Sequence, residues 1–427
     1  MNNYFCAVDG GNSTINIVIN GEPYKKMFPS IQGDYMGAKL SYANEAVWGK
    51  DQAKQLWKKL HVETTLNLNT PGRADRTEFL FGHMAEEFQK DLRSRQNKEK
   101  YQDKALAKWM ISSLAYALFD TKIKEDGYEL KENDRLQFNV TLAAGLPYRE
   151  GKYPEMRQMW AELFKGTHRV NFKHPLFRNL AVDIVVEDVV PVIEGEMALT
   201  LELNKDGGVY QTTPPEELLN KKMAIVDIGG HTTEIVTVSY VMEETGEDED
   251  EMYDEYLDDT EVNVRQVTKI DLTDGIERGV ATIMEDVIAD VSEEYRNKNI
   301  PLKPLVRRDI ELAFTNKGKL NGKKGWILPE QIYIKDIFDK QAQNLANDII
   351  NKAHLMFGEI ISEVDTIYLC GGGSRIDSIV SAIKNELGNL GYKADRIVTL
   401  DDPVMANAKG YYLMLSYYYP DCEPLKA

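Results

Sequence analysis

Two stretches of the chain place an aspartate at the end of an apolar run, directly before glycines and hydroxyl side chains. In one of them Asp227 follows the run 224–226 and precedes Gly229, Gly230, His231, Thr232 and Thr233. A pattern of this kind predicts a strand, a tight turn and a second strand. The turn offers backbone N–H groups to an oxyanion and the carboxylate can bind its metal ion, which together predict a site for phosphate and magnesium.

The same pattern opens the sequence, where Asp9 follows the run 5–8 and precedes Gly10, Gly11, Asn12, Ser13 and Thr14. When Asp9–Val18 is aligned with Asp227–Val236, residue types are identical at five of ten positions. The two segments lie 218 residues apart, the difference between positions 227 and 9. An internal repeat over this distance indicates two similar domains facing one cleft.

A third glycine loop follows the predicted strand 365–369 and consists of Gly371, Gly372, Gly373, Ser374 and Arg375. With three loops in this order, the chain resembles the actin, Hsp70 and sugar-kinase superfamily. Within it the chain is most similar to the ParM-type plasmid-segregating bacterial actin-like proteins, over nearly its whole length. The resemblance implies an α/β, actin-like fold in which two similar RNase H-like domains flank a nucleotide cleft.

The resemblance also implies where the two domains begin and end. The first domain is predicted to span residues 1–193, to be completed by a C-terminal helix within 402–427, and to carry a variable outer lobe over about 22–135. The second domain is predicted to span residues 194–401, with an acidic insert over about 243–260. Such a density of like charge cannot pack, so we predict a solvated hairpin tip there.

The resemblance assigns roles to the three loops. Asp9 and Asp227 would hold Mg²⁺, largely through its waters, while the first two loops would bind the phosphates of ATP or GTP. The third loop would approach the adenosine and the α-phosphate, because glycine lets the backbone come close to a ligand. A helix predicted from Asp274 to about Arg296 would lie behind the sugar, which adds Asp274 and Gly275 to the nucleotide-binding residues.

Two further candidates for catalysis have open interpretations. Glu150 stands three residues after Pro147 of a predicted turn, where ParM-like sequences carry a glutamate linked to hydrolysis; the alternative is an exposed surface carboxylate. His231 stands where the ParM pattern usually has a small or hydroxyl residue. It could contact the γ-phosphate or polarise the attacking water, or it could cap the turn.

The sequence disfavours several other classes of protein. It contains no lysine in a Gly-x-x-x-x-Gly-Lys-Ser pattern, and no Gly-x-Gly-x-x-Gly follows the first predicted strand. Its three cysteines and six histidines lack zinc spacing. No run of 18 apolar residues and no apolar leader is present, which predicts a cytoplasmic protein. A net charge of −18 disfavours direct binding to nucleic acid.

These observations lead to two functional hypotheses. In the first, a Mg-dependent ATPase forms filaments with copies of itself and moves plasmid DNA through a basic, centromere-binding adaptor, without direct contact to DNA or a membrane. In the second, the chain is a small-molecule kinase of the sugar type, although the sequence shows no clear sugar-kinase signature. A chaperone is disfavoured because no substrate-binding domain follows the C-terminal helix.

Overall fold

The chain forms two compact units. The computed structural model describes residues 3–34, 55–69, 72, 74–88, 92–94, 99–204, 221–243, 263–268, 273–315, 319–320, 323–357 and 364–426. Unit 1 consists of Met1–Tyr210 with Val404–Ala427, and unit 2 consists of Gln211–Pro403. The domain boundaries at 193/194 and 401/402 remain predictions.

A mixed sheet organises unit 1. Its strands are β1 (Asn3–Gly10), β2 (Thr14–Ile19), β3 (Glu22–Pro23), β4 (Phe28–Pro29), β5 (Ile31–Asp34), β6 (Leu60–Leu66), β7 (Asp75–Phe81), β8 (Leu92–Ser94), β9 (Arg135–Leu146), β10 (Gly166–Phe172) and β11 (Ala181–Ile193). They lie in the order β3-β2-β1-β9-β11-β10-β6-β7-β5-β8, and β4 pairs with β2. Strands β1, β9 and β11 run parallel, so the loops that follow them leave the same edge of the sheet.

The helices of unit 1 cover this sheet. They include α1 (His83–Phe88), α2 (Lys104–Asp126), α3 (Tyr148–Gly151), α4 (Pro154–Phe164) and α5 (Glu196–Leu203). Helix α2 begins where Asp103 Oδ1 accepts the N–H groups of Ala105 and Leu106, at 3.0 and 3.1 Å. It ends before Gly127, which has a φ of 63°. One stripe of this helix is buried: Leu106, Trp109, Met110, Ser113, Leu114, Ala117 and Leu118.

Unit 2 is built on a smaller sheet. The strands of this sheet are β12 (Lys222–Ile228), β13 (Thr233–Glu243), β14 (Asn263–Thr268), β15 (Asp274–Ile276), β18 (Thr366–Cys370) and β19 (Ile397–Thr399), and a separate hairpin is formed by β16 (Lys319–Leu320) and β17 (Lys323–Lys324). The main sheet has the order β14-β13-β12-β18-β19, with β15 paired to β13. Helices α6 (Val280–Asn297), α7 (Arg307–Thr315), α8 (Lys335–Phe357) and α9 (Asp377–Asn389) enclose an apolar core with it.

The last helix, α10 (Ala406–Tyr418), belongs to unit 1 and packs on α5. The approach is very close, because a Cβ at Gly410 would lie 2.0 Å from the carbonyl oxygen of Met197. Only glycine fits at this crossing. Among the described residues, no helix is both long and apolar enough to span a lipid bilayer.

The two units share one arrangement at their centres. In unit 1 the antiparallel hairpin β1–β2 continues into the parallel strands β9 and β11. In unit 2 the antiparallel hairpin β12–β13 continues into the parallel strands β18 and β19. The residue pairing within the hairpins also agrees, since Asp9 faces Asn16 and Asp227 faces Glu234, seven residues later in each case. The internal repeat in the sequence is therefore a repeat in structure.

One helix prediction is wrong in its extent. The helix predicted to open at Asp274 begins at Val280, because 274–276 pairs as β15 with β13. Pairing at a sheet edge outweighs local helix propensity there. The acidic insert between β13 and β14 lies outside the described residues from 244 to 262, although its flanking strands do pair antiparallel.

Candidate functional site

The first glycine turn is rigidly built. Gly11 donates its N–H to the carbonyl oxygen of Thr14 at 3.0 Å, which closes the turn between β1 and β2. Ser30 holds the turn from outside, because its hydroxyl donates to Gly11 O at 2.7 Å and its N–H to Ser13 O at 2.9 Å. Asp9 is only 7% exposed, and Asn16 Nδ2 donates to its Oδ2 at 3.4 Å. The carboxylate is thus fixed at the end of its strand.

The second glycine turn has the same geometry. Gly229 donates its N–H to the carbonyl oxygen of Thr232 at 2.9 Å. A Cβ at Gly11 would lie 3.0 Å from Thr14 O, and a Cβ at Gly229 would lie 3.0 Å from Thr232 O. Both turns are therefore tight at the position two residues after the aspartate, which favours glycine there.

The first turn of helix α6 supports this second loop. Val280 donates its N–H to Gly229 O at 3.0 Å, and Ala281 donates its N–H to Gly230 O at 2.6 Å. A Cβ at Gly279 would lie 2.5 Å from Gly229 O, so the chain passes too close for any side chain. Two N-terminal amides of α6 are thus bonded to the loop.

The third glycine loop lies directly against Asp227. Asp227 pairs in parallel register with Cys370, the last residue of β18. Gly371 follows with a φ of 78°, and a Cβ there would lie 2.3 Å from Asp227 Oδ1. Ser374 closes the loop by donating its hydroxyl to Gly371 O at 2.8 Å. Within unit 2 the structure therefore brings together Asp227, the second and third loops and the start of α6.

The remaining candidates of unit 2 have defined neighbours. Asp274 lies on β15 and forms an ion pair with Lys352 of α8, while Gly275 lies beside Glu234 of β13. In the third loop Gly373 is buried, whereas Gly372 and Arg375 are exposed.

His231 is tied to the helices of unit 2 through an arginine. Arg307 donates to His231 Nε2 at 3.2 Å, and its Nε donates to Glu285 Oε1 at 3.0 Å. Since an arginine side chain can only donate, Nε2 is the accepting nitrogen of this histidine. The side chain of His231 is thereby coupled to α6 and α7.

In unit 1, three carboxylates stand at or just after the ends of three parallel strands. Asp9 lies near the end of β1, Glu150 lies on α3 just after β9, and Glu194 directly follows β11. The strands are in register there, because Val8 of β1 pairs with Ala144 of β9, and Leu146, the last residue of β9, pairs with Ile193 of β11. In open α/β sheets the carboxyl ends of the strands form the usual ligand-binding edge.

Glu150 is a buried carboxylate. It is 3% exposed, so the alternative of an exposed surface glutamate is wrong. Its Oε2 accepts the backbone N–H of Tyr101 at 2.8 Å. Its Oε1 is buried without a hydrogen-bond partner among the described residues. Because such an atom carries an uncompensated desolvation cost, this oxygen is suited to accept a hydrogen bond from a water or a ligand.

Sequence reasoning missed Lys100 and Glu194, which form an ion pair in unit 1 between a buried lysine and a partly buried glutamate. Lys100 is 1% exposed, although lysine is rarely buried. The two residues are 94 positions apart in the chain, so no local pattern could reveal the contact.

The donor chemistry agrees with magnesium and a nucleotide. Asp9 and Asp227 offer carboxylate oxygens, the ligands that Mg²⁺ prefers while keeping several waters. The close approach of Gly371 to Asp227 leaves no room for a side chain between the third loop and this carboxylate. In the described part of the chain, no group of three or more histidine, cysteine or acidic side chains is gathered as a metal site.

Several solved structures match the chain over nearly its whole length. Actin-like protein Alp7A has a TM-score of 0.66 at 17% identity, with 98% of this chain and 97% of that chain covered. A 15-stranded ParM filament from Clostridium botulinum has a TM-score of 0.61 at 19% identity, covering 98% and 100%. Bacillus thuringiensis ParM with ATP has a TM-score of 0.57 at 17% identity, covering 98% and 100%. No family model and no curated protein sequence matches the chain.

The likeness to these structures agrees with the repeated hairpin-and-parallel-strand arrangement of the two units. The resemblance to ParM-type proteins is confirmed at the level of the fold, and so is the predicted α/β class. The chain therefore has the actin-like fold.

Proposed function

We propose that the chain is a nucleotide-driven, filament-forming ATPase that segregates plasmid DNA. The observation that carries this proposal is the pair of matching turns, each closed by a glycine N–H and a threonine carbonyl and each placed after an aspartate at a strand end. A single turn of this kind is commonly structural. Two with the same hydrogen bond, together with a third glycine loop against Asp227, are the arrangement expected for binding phosphates and their metal ion.

In this proposal the chain's own groups bind and orient the nucleotide. The turns 10–14 and 229–232 donate N–H and hydroxyl groups to the phosphate oxygens of ATP or GTP, and 371–375 approaches the nucleoside. Asp9 and Asp227 would hold Mg²⁺. When bound, the ion neutralises charge on the β- and γ-phosphates.

Glu150 is the proposed positioner of the attacking water. With Oε2 fixed by the Tyr101 amide at 2.8 Å, Oε1 is available to accept a hydrogen bond from that water. This contact stabilises the transition state more than it stabilises the complex with bound nucleotide. Glu150 should therefore affect the rate of hydrolysis more than the affinity for nucleotide.

The proposed partners are further copies of the chain and a basic DNA-binding adaptor, in the cytoplasm. Self-association is supported by the filament formed by the similar Clostridium botulinum ParM. The adaptor is supported by charge, since a net −18 at pH 7 repels DNA phosphates and attracts a basic protein.

Light scattering at 90° after Mg-ATP is added to the purified protein tests this function. We expect scattering to rise with a lag and then fall as phosphate is released, with no rise when EDTA replaces Mg²⁺. GTP in a parallel sample shows which nucleotide is used. Sugar-dependent release of ADP without any polymer would contradict the proposal and favour a small-molecule kinase.

A further inference from the structure

Lys100 is buried beside the carboxylates of unit 1. It opens the short 3₁₀ turn Lys100–Gln102 and is 1% exposed. Its ammonium pairs with the Glu194 carboxylate and lies 5.8 Å from the ring centroid of Trp160. Trp160 is fully buried and donates Nε1–H to Ala144 O of β9 at 3.2 Å. A buried ammonium is unfavourable unless it is paired, so Lys100 is confined to one position.

The turn that Lys100 opens holds Glu150. The next residue, Tyr101, donates its N–H to Glu150 Oε2 at 2.8 Å. On the other side, Asp103 donates its N–H to Lys100 O at 3.1 Å and then caps α2. The amide that orients Glu150 is therefore anchored by the ion pair before it and by the helix cap after it.

Glu194 is itself fixed to the strand ends. Its N–H donates to Leu146 O at 2.8 Å, at the end of β9. The N–H of Gly195 donates to Asn407 Oδ1 of α10 at 2.9 Å. The ion pair thus joins the 3₁₀ turn to the same strand edge from which α3, with Glu150, departs.

We propose that the Lys100–Glu194 pair is a positioning device for Glu150, which rests on the proposed function of Glu150 in hydrolysis. By fixing the turn, the pair determines that Oε2 accepts the Tyr101 amide and that Oε1 is left for the attacking water. Lys100 acts through the turn and is a positioning residue. Loosening the turn allows the carboxylate to rotate, and a small displacement of a water-positioning group lowers the rate strongly.

A double-mutant cycle separates positioning from a general structural role. Lys100→Met keeps the length of the apolar stem and removes the charge. Glu150→Gln presents its amide oxygen to the Tyr101 N–H and leaves an NH₂ group that cannot accept a hydrogen bond from water. The matched control is Lys104→Met. Lys104 is an exposed lysine of α2, four residues after Lys100.

We expect Lys100→Met to lower kcat for Mg-ATP hydrolysis by on the order of tenfold or more, with little change in KM. In the Glu150→Gln background the same change should alter the residual rate by less than about twofold, because the positioned oxygen is already lost. Lys104→Met should leave kcat unchanged. Equal loss from Lys100→Met in both backgrounds would overturn the positioning proposal.

The failure of the positioning proposal can be told from failure of the proposed function. If Glu150→Gln alone hydrolyses ATP at the wild-type rate, the role of Glu150 is wrong, whatever Lys100→Met does. If Lys100→Met does not fold, because the partly buried Glu194 carboxylate is left without its partner, the double variant Lys100→Met with Glu194→Gln removes both charges. This double variant should fold and still hydrolyse Mg-ATP slowly. A wild-type kcat in the double variant would overturn the proposal.

Discussion

Gly371 lies where a side chain would collide with the carboxylate of Asp227. A Cβ there would lie 2.3 Å from Asp227 Oδ1 and 2.6 Å from Ile228 O. With φ at 78° and ψ at 174°, the residue also occupies a backbone region that is essentially restricted to glycine. We therefore expect Gly371→Ala to destabilise unit 2 and to displace Asp227.

The magnitude follows from these two contributions. Backbone strain in that region costs about 1–3 kcal/mol, and relieving the overlap with Asp227 and Ile228 costs about 1–3 kcal/mol more. For a unit of the size of Gln211–Pro403, a loss of this order lowers Tm by roughly 10 °C.

Calorimetry of Gly371→Ala against Gly372→Ala tests the argument. The second variant is a matched control for stability, since a Cβ at Gly372 has no described atom within 4 Å other than those of Gly372 and its two chain neighbours. Only Gly371→Ala should lower the transition of unit 2, and below that temperature it should also hydrolyse Mg-ATP slowly. Equal Tm values for the two variants would show that a methyl group at residue 371 causes neither backbone strain nor a collision with Asp227.

Further predictions concern the proposed metal ligands, Glu150, the acidic insert and a buried histidine. Asp9→Ala and Asp227→Ala should each lower Mg-ATP hydrolysis by on the order of 100-fold; near-normal phosphate release in both would contradict their assignment. Glu150→Ala should slow phosphate release while nucleotide binding and Mg-ATP-driven assembly remain. Light scattering should then show that the polymer persists longer. Loss of assembly at a normal hydrolysis rate would instead make Glu150 an interface residue. Replacing 244–258 by a short Gly-Ser turn should preserve the cooperative thermal transition and the ATPase rate, whereas loss of that transition would show that the insert is structural. Burial lowers the pKa of His168 to about 4. The unfolded chain, with a histidine pKa of about 6.5, then takes up a proton first as pH falls, and about 2 kcal/mol of stability should be lost between pH 7 and pH 5. Urea unfolding of wild type and His168→Gln at both pH values measures this, and an equal loss in the two proteins would exclude His168 as the cause.

The two hairpins could be predicted from the sequence because each motif contains its own geometry. The aspartate, the glycine two residues later and the threonine three residues after that are all local, and they form the turn hydrogen bond themselves. The repeat in register then indicated two units of one kind. The actin-like fold was predictable for the same reason.

The environment of Glu150 could not be predicted, because it depends on contacts between distant parts of the chain. The Tyr101 amide that fixes Glu150 lies 49 residues earlier, and Lys100 is 94 residues from its partner Glu194. The start of α6 was mispredicted for a related reason. Asp274 and Gly275 have the composition of a helix start, but β13 offers them an unpaired edge.

The contact between α6 and the second glycine turn has an electrostatic consequence. The carbonyl groups of Gly229 and Gly230 point towards Val280 and Ala281 of the helix. In a trans peptide the N–H group points opposite to the carbonyl group, and the described chain has no cis peptide bond. The N–H groups of Gly230 and His231 therefore point away from α6. The dipoles of these two peptide groups lie head to tail with those of the helix. The positive end of the α6 dipole is therefore located at the N–H groups of Gly230 and His231, one peptide group beyond the first turn of the helix.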